Sequence, residues 1–548
     1  MDENHNVCWT EKVDSTSSVR DPLGLWQHLN IQVDYSPGIT SVTNRIRYYT
    51  LLCWYYQNLF NSRLLNHDDF ERLFILTCLS HHNGDYKYPG LKHLFNIQRF
   101  KEQWKDIEEF KLDFDINGFA RTYYNKQVSN LRCCWTDFLG EIHKSNINRD
   151  LANCLPAINI NFFKNTIFTK DMILSNLTDF CMCQRNEKEI ELMSKIMFGF
   201  IAFKDNDWLI NEDNYNAFIQ NAKIDFSFQS IEFDTEDVIG SDITKFHQMS
   251  HRRRNTLFMF LKIIHEVQPA STDFKKVIYD ALYFKKNFYT QNKIDFGPIS
   301  KVVDYWELLQ LNVYYVYVIE MILDIIQKIV RNNNGIKRKD IFSVCDPNKI
   351  MQQIESRIGK KIDKSITLSK MQQIIKEGLI PTLNESNIYD SISSLQDNEA
   401  ILGNILIMLI LLRWRYLSIS IEIKKTARQR KQIDIEDTLF IENLFHFIEK
   451  NAEMDVLFFL SLLFDWVIRR HLYESAVRFR QNNTKNWLIV EEDGRLFFSR
   501  SQLIDISPRD NRWGSILSIM KDIEMVEGDS QYKLTDKGVI WLKKAGLI

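Results

Sequence analysis

Glu422-Ile423-Lys424 carries the most suggestive chemistry in the chain. In Mg²⁺-dependent nucleases an Asp and the Glu of a Glu-x-Lys pair hold the ion, and the Lys steadies the attacking water. The alternating Ser418-Ile419-Ser420-Ile421 before it looks like a strand, and Asp397 or Glu399 is the nearest acid upstream of the apolar run. That apolar run is helical in pattern, however, and a surface Glu beside Lys on a helix explains the triplet more simply. A Mg²⁺-dependent nuclease using Glu422 and Lys424 is therefore the enzymatic alternative.

Two other clusters have ligand chemistry. His247 and His251, four apart, would share a helix face beside Arg252-Arg253-Arg254. No acid or cysteine stands at ligand spacing beside them and His-Glu-x-x-His is absent, so no metal is expected there. Cys78, His81, His82 and Asp85 gather at a predicted helix end before Asn83-Gly84, where solvated loop histidines are the default. The nine cysteines are scattered, none in a Cys-x-x-Cys pair, and several lie in apolar runs. They read as reduced core thiols rather than a disulfide framework or zinc knuckle. No cofactor is expected. There is no Gly-x-x-x-x-Gly-Lys-Ser/Thr phosphate loop, no Gly-x-Gly-x-x-Gly and no Gly-x-Ser-x-Gly elbow. An NTPase motor of the usual kind is thereby disfavoured, whereas a dispersed nucleophile–base pair leaves no local signature.

Net charge excludes a globally basic nucleic-acid coat: 69 basic against 71 acidic residues leave −2. A polyanion site would have to be local. Lys424, Lys425, Arg428, Arg430 and Lys431 place five cations in eight residues, and Arg469, Arg470, Arg478 and Arg480 add more on the next helix. Clustering of this kind is what phosphate neutralisation needs, although both groups also lie near helix C-termini, where the dipole favours cations.

The elements that would carry these residues are mostly helices. Gly and Pro total 27 of 548 residues, about 5% against roughly 12% in average chains, so long helices joined by short polar loops are expected. At 45% apolar and 26% charged the chain is globular rather than disordered, and its length suggests about three to four domains. Residues 1–20 read as a flexible arm with no signal-peptide core. A helical domain follows over 21–240, opening with a Ser36-Pro37-Gly38 turn of type II chemistry and an aromatic-faced helix through Ile46, Tyr49, Leu52 and Tyr56. Arg45 and Arg47 sit among its tyrosines, placed to stack on an aromatic face. Further helices are expected at 67–80, 91–110, 118–140, 170–184 and 186–203. A second helical block spans 241–331, ending at a glycine cap, Gly335. Residues 332–396 form a polar insertion or linker, and long helices return over 397–481. The apolar stretch Ile401–Leu412 is twelve residues, short of the ~20 a membrane span needs. The chain reads as cytoplasmic.

The tail, 482–548, changes character. Trp487–Val490 and Arg495–Phe498 flank an Asp-Gly hairpin turn. A helix over 508–524 starts at Ser507-Pro508 and buries Trp513, Met520 and Ile523. A second hairpin and a Thr535-capped helix complete it. This order, with Leu534-Thr535-Asp536-Lys537-Gly538, resembles winged-helix domains. The resemblance implies that the helix bearing Arg509, Arg512, Ser515 and Ser518 enters the major groove while Lys521 and Lys533 reach phosphates. Asp510, Asp522 and Glu524 work against it. The segment Asp34–Tyr56 resembles the start of long bacterial proteins encoded with anti-phage defence or mobile-element genes, and no catalytic residues come with that resemblance.

The expected protein is mainly α, with multi-helical blocks and a small C-terminal α+β winged-helix-like module. The favoured function is a DNA-binding or scaffolding subunit of a defence-type assembly, with double-stranded DNA as ligand and a protein partner, an ATPase or nuclease, supplying catalysis. A pure interaction or dimerisation protein is the remaining alternative.

Overall fold

Sparse turn-formers and frequent apolar repeats at three- and four-residue spacing yield a mainly helical protein with small antiparallel sheets of two or three strands. The computed structural model describes residues 36–39, 45–62, 64–85, 108–113, 127–136, 142–226, 238–267, 274–333, 335–377, 383–424, 440–482, 489–499, 512–528 and 531–548. The expected 1–20 arm and the Ser507-Pro508 helix start lie outside those residues. Backbone contacts separate two units, Ile31–Glu307 with Asp510–Ile548, and Met1–Asn30 with Leu308–Arg509.

In the first of these units the Ile46–Asn58 helix is buried from Ile46 through Tyr56, on all its faces rather than one. Both of its arginines pair with carboxylates. Arg47 forms a fully buried ion pair with Glu189 at 2.9 Å. Arg45 pairs with Asp522, also at 2.9 Å. No side chain of the Arg45 N-cap closes the helix start; the Asp522 carboxylate does so instead, accepting from the Ile46 N–H at 3.1 Å. The helix dipole favours an anion there.

The turn Ser36–Ile39 forms as expected, with Ile39 N–H donating to the Ser36 carbonyl and Gly38 at φ +87°. A Cβ on Gly38 would meet Leu131 Cδ2 at 2.7 Å. This turn is buried, and three successive carbonyls need donors. Arg253 Nη1 donates to Pro37 O at 2.9 Å, Tyr49 Oη to Gly38 O at 2.5 Å, and Arg512 Nη1 to Ile39 O at 2.9 Å. Arg253 also donates to the Met197 and Ile196 carbonyls, closing the last turn of the Glu187–Met197 helix.

Several elements end earlier than expected. Gly199 at φ +74° stops the 186–203 helix at Met197; a Cβ there would lie 2.9 Å from the Ser250 carbonyl. The chain then makes a hairpin, Ile201–Lys204 with Asp207–Ile210, through Asp205 and Asn206, both at positive φ. Arg132 at φ +60° similarly breaks the 118–140 helix, and Cys134–Thr136 pairs with Ile142–Lys144. Of the expected 91–110 helix only the end is described, and it is a strand: Glu109–Phe110 pairs with Phe168–Thr169.

The Val238–Glu266 helix packs on the C-terminal Asp536–Lys544 helix and on the Lys533–Leu534 strand. Trp541 lies edge-on to Phe198 at 4.6 Å. Trp513 sits among Tyr279, Phe260 and Trp306. Thr535 caps the last helix as expected, accepting from Gly538 N–H.

In the other unit the Asn398–Ser418 helix is the apolar core. It is long and apolar enough to cross a bilayer by length and composition, yet most of it is buried beneath Pro347–Ile358 and Glu385–Ser394. Gly403 permits the closest approach: a Cβ would stand 3.0 Å from Gln353 Cβ. The expected linker is thus largely helical packing. Ile489–Glu492 and Arg495–Phe498 form the Asp493-Gly494 hairpin, and Ile336–Lys337 adds a third strand beside Arg495–Phe498. The strands 489–498 therefore belong to a different unit from 512–548. From residue 440 the chain makes two helices, Phe440–Lys450 and Val456–Asn482.

Replacing Arg253 by Met, similar in length but without donors, should destabilise the protein by about 3 kcal/mol or more, because buried carbonyls lose their partners. Urea denaturation followed by circular dichroism measures this; an unchanged midpoint would show that the turn needs no donors.

Candidate metal centre

Two stretches separated by about a hundred residues in sequence meet in the unit that contains the Ser36–Ile39 turn. The first is the end of the His67–His81 helix. Asn66 caps its start by accepting from Asp69 N–H, with Asp68 and Asp69 in the first turn. Phe70, Leu73, Phe74, Leu76 and Leu79 bury its inner side. The helix closes through His82 and Asn83 into Gly84, whose N–H reaches the Leu79 carbonyl at 2.8 Å. His81 and His82 consequently stand side by side on the final turn, ring centroids 4.7 Å apart.

The second stretch follows the Lys170–Leu177 helix and the 3₁₀ turn Thr178–Phe180, both packed on the His67–His81 helix. Phe180 anchors the turn edge-on to Trp54 at 4.9 Å. A tight turn, Gln184 N–H to Cys181 O at 3.0 Å, then presents Cys181 and Cys183 towards the histidines. Asn186 caps the following helix and ties it to Cys154 O.

The ligand atoms of His81, His82, Cys181 and Cys183 all lie within 4.8 Å of one another. Cys181 Sγ is 3.3 Å from His82 Nε2 and Cys183 Sγ is 3.3 Å from His81 Nδ1. The two sulfurs are 3.6 Å apart. A third thiol, buried Cys78, lies 3.6 Å from Cys181 Sγ, and the Gln184 amide nitrogen is 3.4 Å from the far nitrogen of His81. Among the described residues this is the one cluster of three or more His, Cys, Asp or Glu side chains with metal-holding geometry.

Without an ion, Cys181, Cys183 and His82 are each shifted towards the neutral form. The hydrogen bond with Cys78, with burial, pushes the Cys181 thiol far up. Burial, with Cys181 beside it, pushes Cys183 up to about 12. Burial, with neighbouring His81, pushes His82 down against the pull of Asp85. A divalent cation reverses the preference of the thiols, because coordination deprotonates them.

The sequence placed Cys78, His81, His82 and Asp85 together but treated the histidines as solvated and expected no metal. Cys181 and Cys183, with one residue between them, do not satisfy Cys-x-x-Cys spacing and so carry no metal signal by that pattern. The signal that would have found them was Cys-x-Cys together with an adjacent His pair. His247 and His251 line a separate cavity of about 270 Å³ with Arg254, Asp225 and Lys223; burial pushes both imidazoles down.

Five of the ten residues expected to hold nucleic acid, Lys424, Arg512, Ser515, Lys521 and Lys533, are described. Lys425, Arg428, Arg430, Lys431 and Arg509 lie outside the described residues. Lys424 stands over the Tyr416 ring, 4.3 Å from its centroid. Arg512 and Ser515 are buried, Arg512 being held by the Ile39 carbonyl. Lys521 is half-buried, and exposed Lys533 is ion-paired with Glu527 at 2.8 Å. Arg252, Arg253 and Arg254 are all buried, and burial pushes Arg253 and Arg254 down to about 10, which leaves both cationic at neutral pH. Arg469 pairs with Asp465, and Arg470 lies over Trp466.

Glu422 and Lys424 sit on helical residues 421–424, not on a strand. The alternation before them reflects the end of one helix at Ser418 and the start of the next turn. Two residues apart on a helix, the side chains diverge, so the strand setting that a Glu-x-Lys nuclease requires is missing at this motif.

Comparison with protein-family models, with characterised proteins and with solved structures returns no match to this chain.

Arg512→Ala should lower stability by roughly 1–3 kcal/mol through the unpaired Ile39 carbonyl, whereas Lys533→Ala, which removes only an exposed pair, should leave the melting temperature essentially unchanged. Parallel thermal melts test the contrast; equal effects would refute the internal role of Arg512.

Proposed function

We propose that this chain is a non-catalytic scaffolding subunit of a bacterial defence-type assembly, acting by holding a protein partner that supplies the chemistry. The observation that carries this reading is the direction of its arginines. Arg45, Arg47, Arg253 and Arg512 brace buried carboxylates and main-chain carbonyls, and Arg254 bonds to the Asp225 carbonyl. Cations used this way add rigidity rather than reach for a ligand. The tail supports the same reading: its helix–hairpin–helix order is that of a winged helix, but on the face that would enter a groove Arg512 and Ser515 are buried within their own unit. In the other unit, Leu417, Ile421 and Phe458 leave more than half of their surface exposed, which suits contact with a partner protein.

DNA contact is the second reading, and it is favoured by one feature, the run from Lys424 to Lys431 with five cations in eight residues. Phosphate contacts there would act through counterion release and weaken steeply with salt.

Binding to labelled duplex DNA across a salt series, with and without Mg²⁺, separates these readings. The scaffold predicts weak binding and no cleavage, with Lys521→Glu/Lys533→Glu leaving the curve unchanged. Tight binding lost on reversing Lys424, Lys425, Arg428, Arg430 and Lys431 would make the chain the DNA-holding subunit. Mg²⁺-dependent cleavage abolished by Glu422→Ala would overturn the non-catalytic assignment.

A further inference from the structure

We infer that His81, His82, Cys181 and Cys183 form a structural zinc centre, with Cys78 as a hydrogen-bonding support for one of its sulfurs. The inference is independent of the scaffolding reading, since it rests on ligand geometry alone.

Two thiolates and two imidazoles are a tetrahedral zinc set, and four protein ligands leave no open position for substrate. The geometry fits in detail. With Zn–S near 2.3 Å and Zn–N near 2.0–2.1 Å, a regular tetrahedron has S–S edges of about 3.8 Å and S–N edges of about 3.5 Å. Here the sulfurs are 3.6 Å apart, the Cys181–His82 and Cys183–His81 pairs are 3.3 Å apart, and all four ligand atoms lie within 4.8 Å of one another. Seating the ion would draw the wider pairs, up to 4.8 Å apart, in towards those edges by about an ångström.

Charge balance points the same way. As two Zn–S bonds form, two S–H bonds break and both protons pass to solvent, so Zn²⁺ with two thiolates is neutral overall. A neutral centre suits the setting, where Cys181 is fully buried and the other three ligands are partly covered. The buried Cys78 thiol, 3.6 Å from Cys181 Sγ, is placed to donate to that thiolate once it has lost its proton. Gln184 stands beside the nitrogen of His81 opposite the ligating one, where a second partner fixes ring orientation. Neither is a ligand.

The centre would have a mechanical role. It joins the end of the His67–His81 helix to the turn leading into Glu187–Met197 and staples two stretches distant in sequence, beside the short helix and 3₁₀ turn that pack there. Binding of the metal to the folded state alone would add directly to stability.

The test uses the purified full chain. Elemental analysis should find about one zinc per chain, and Co²⁺ titrated into the chelator-stripped protein should produce the intense visible bands and thiolate charge-transfer absorption of a tetrahedral site. Cys181→Ser and Cys183→Ser should each weaken Co²⁺ and Zn²⁺ binding by more than about 100-fold. Cys78→Ala, removing only a supporting contact, should weaken it by about 10-fold. Because the serine variants could fail to fold, the wild-type protein provides a second readout: Zn²⁺ should slow alkylation of Cys183 and raise the melting temperature, and chelation should reverse both. Absence of zinc from the purified protein together with only the weak bands of octahedral cobalt would overturn the assignment. So would unchanged metal affinity in Cys183→Ser.

Discussion

The buried turn Ser36–Ile39 is the constraint on which its unit depends. A turn placed inside a protein exposes carbonyls that water cannot reach, and each must find a donor. Here three successive carbonyls draw donors from Arg253, Tyr49 and Arg512, residues that are far apart in the chain. Satisfying one tight turn therefore brings together the Ile46–Asn58 helix, the Val238–Glu266 helix and the start of the Trp513–Asp522 helix. Arg253 extends the set to the carbonyl end of Glu187–Met197. Asp522 adds a reciprocal anchor, accepting from Arg45, Arg185 and the first N–H of Ile46–Asn58.

This use of arginine accounts for much of the charge pattern. A guanidinium has five donors in a fixed plane and keeps its charge when buried, so a single side chain can close a helix end and a turn together. Arg253 does both. The Arg252–Arg254 run, which in a linear reading looks like a basic patch, is buried, and Arg253 and Arg254 act as internal braces. Balanced net charge is compatible with this arrangement: many of the cations have internal partners and need no external polyanion to neutralise them.

The thiol–imidazole cluster lies one step from that framework. Cys181 and Cys183 precede the helix whose far end Arg253 closes, and Arg47 contacts the same turn through the Asp179 and Gln184 carbonyls. The ligand geometry is thus set by elements whose positions are already held by buried polar bonds. A metal placed there would lock the outer edge of a framework that the arginines lock from within. Rigidity of this kind is what a scaffold requires.

Local patterning alone determined the mainly helical class, the Asp493-Gly494 hairpin, the Thr535 cap and the Gly38 turn, because propensity, periodicity and turn chemistry act over a few residues. Helix ends at Met197 and near Arg132 were not legible, since they are decided by contacts such as Gly199 against the Ser250 carbonyl. Tertiary structure alone decided that the strands 489–498 pair with Ile336–Lys337 while Trp513–Lys544 packs elsewhere, as both associations join segments more than a hundred residues apart. It alone showed that Arg512 faces inward, for an arginine's spacing on a helix does not reveal which carbonyl lacks a donor. The metal cluster is the clearest case. His81-His82 and Cys181-x-Cys183 are plain in the sequence, but only the packing of one helix end on a distant turn brings their ligand atoms to coordination distance.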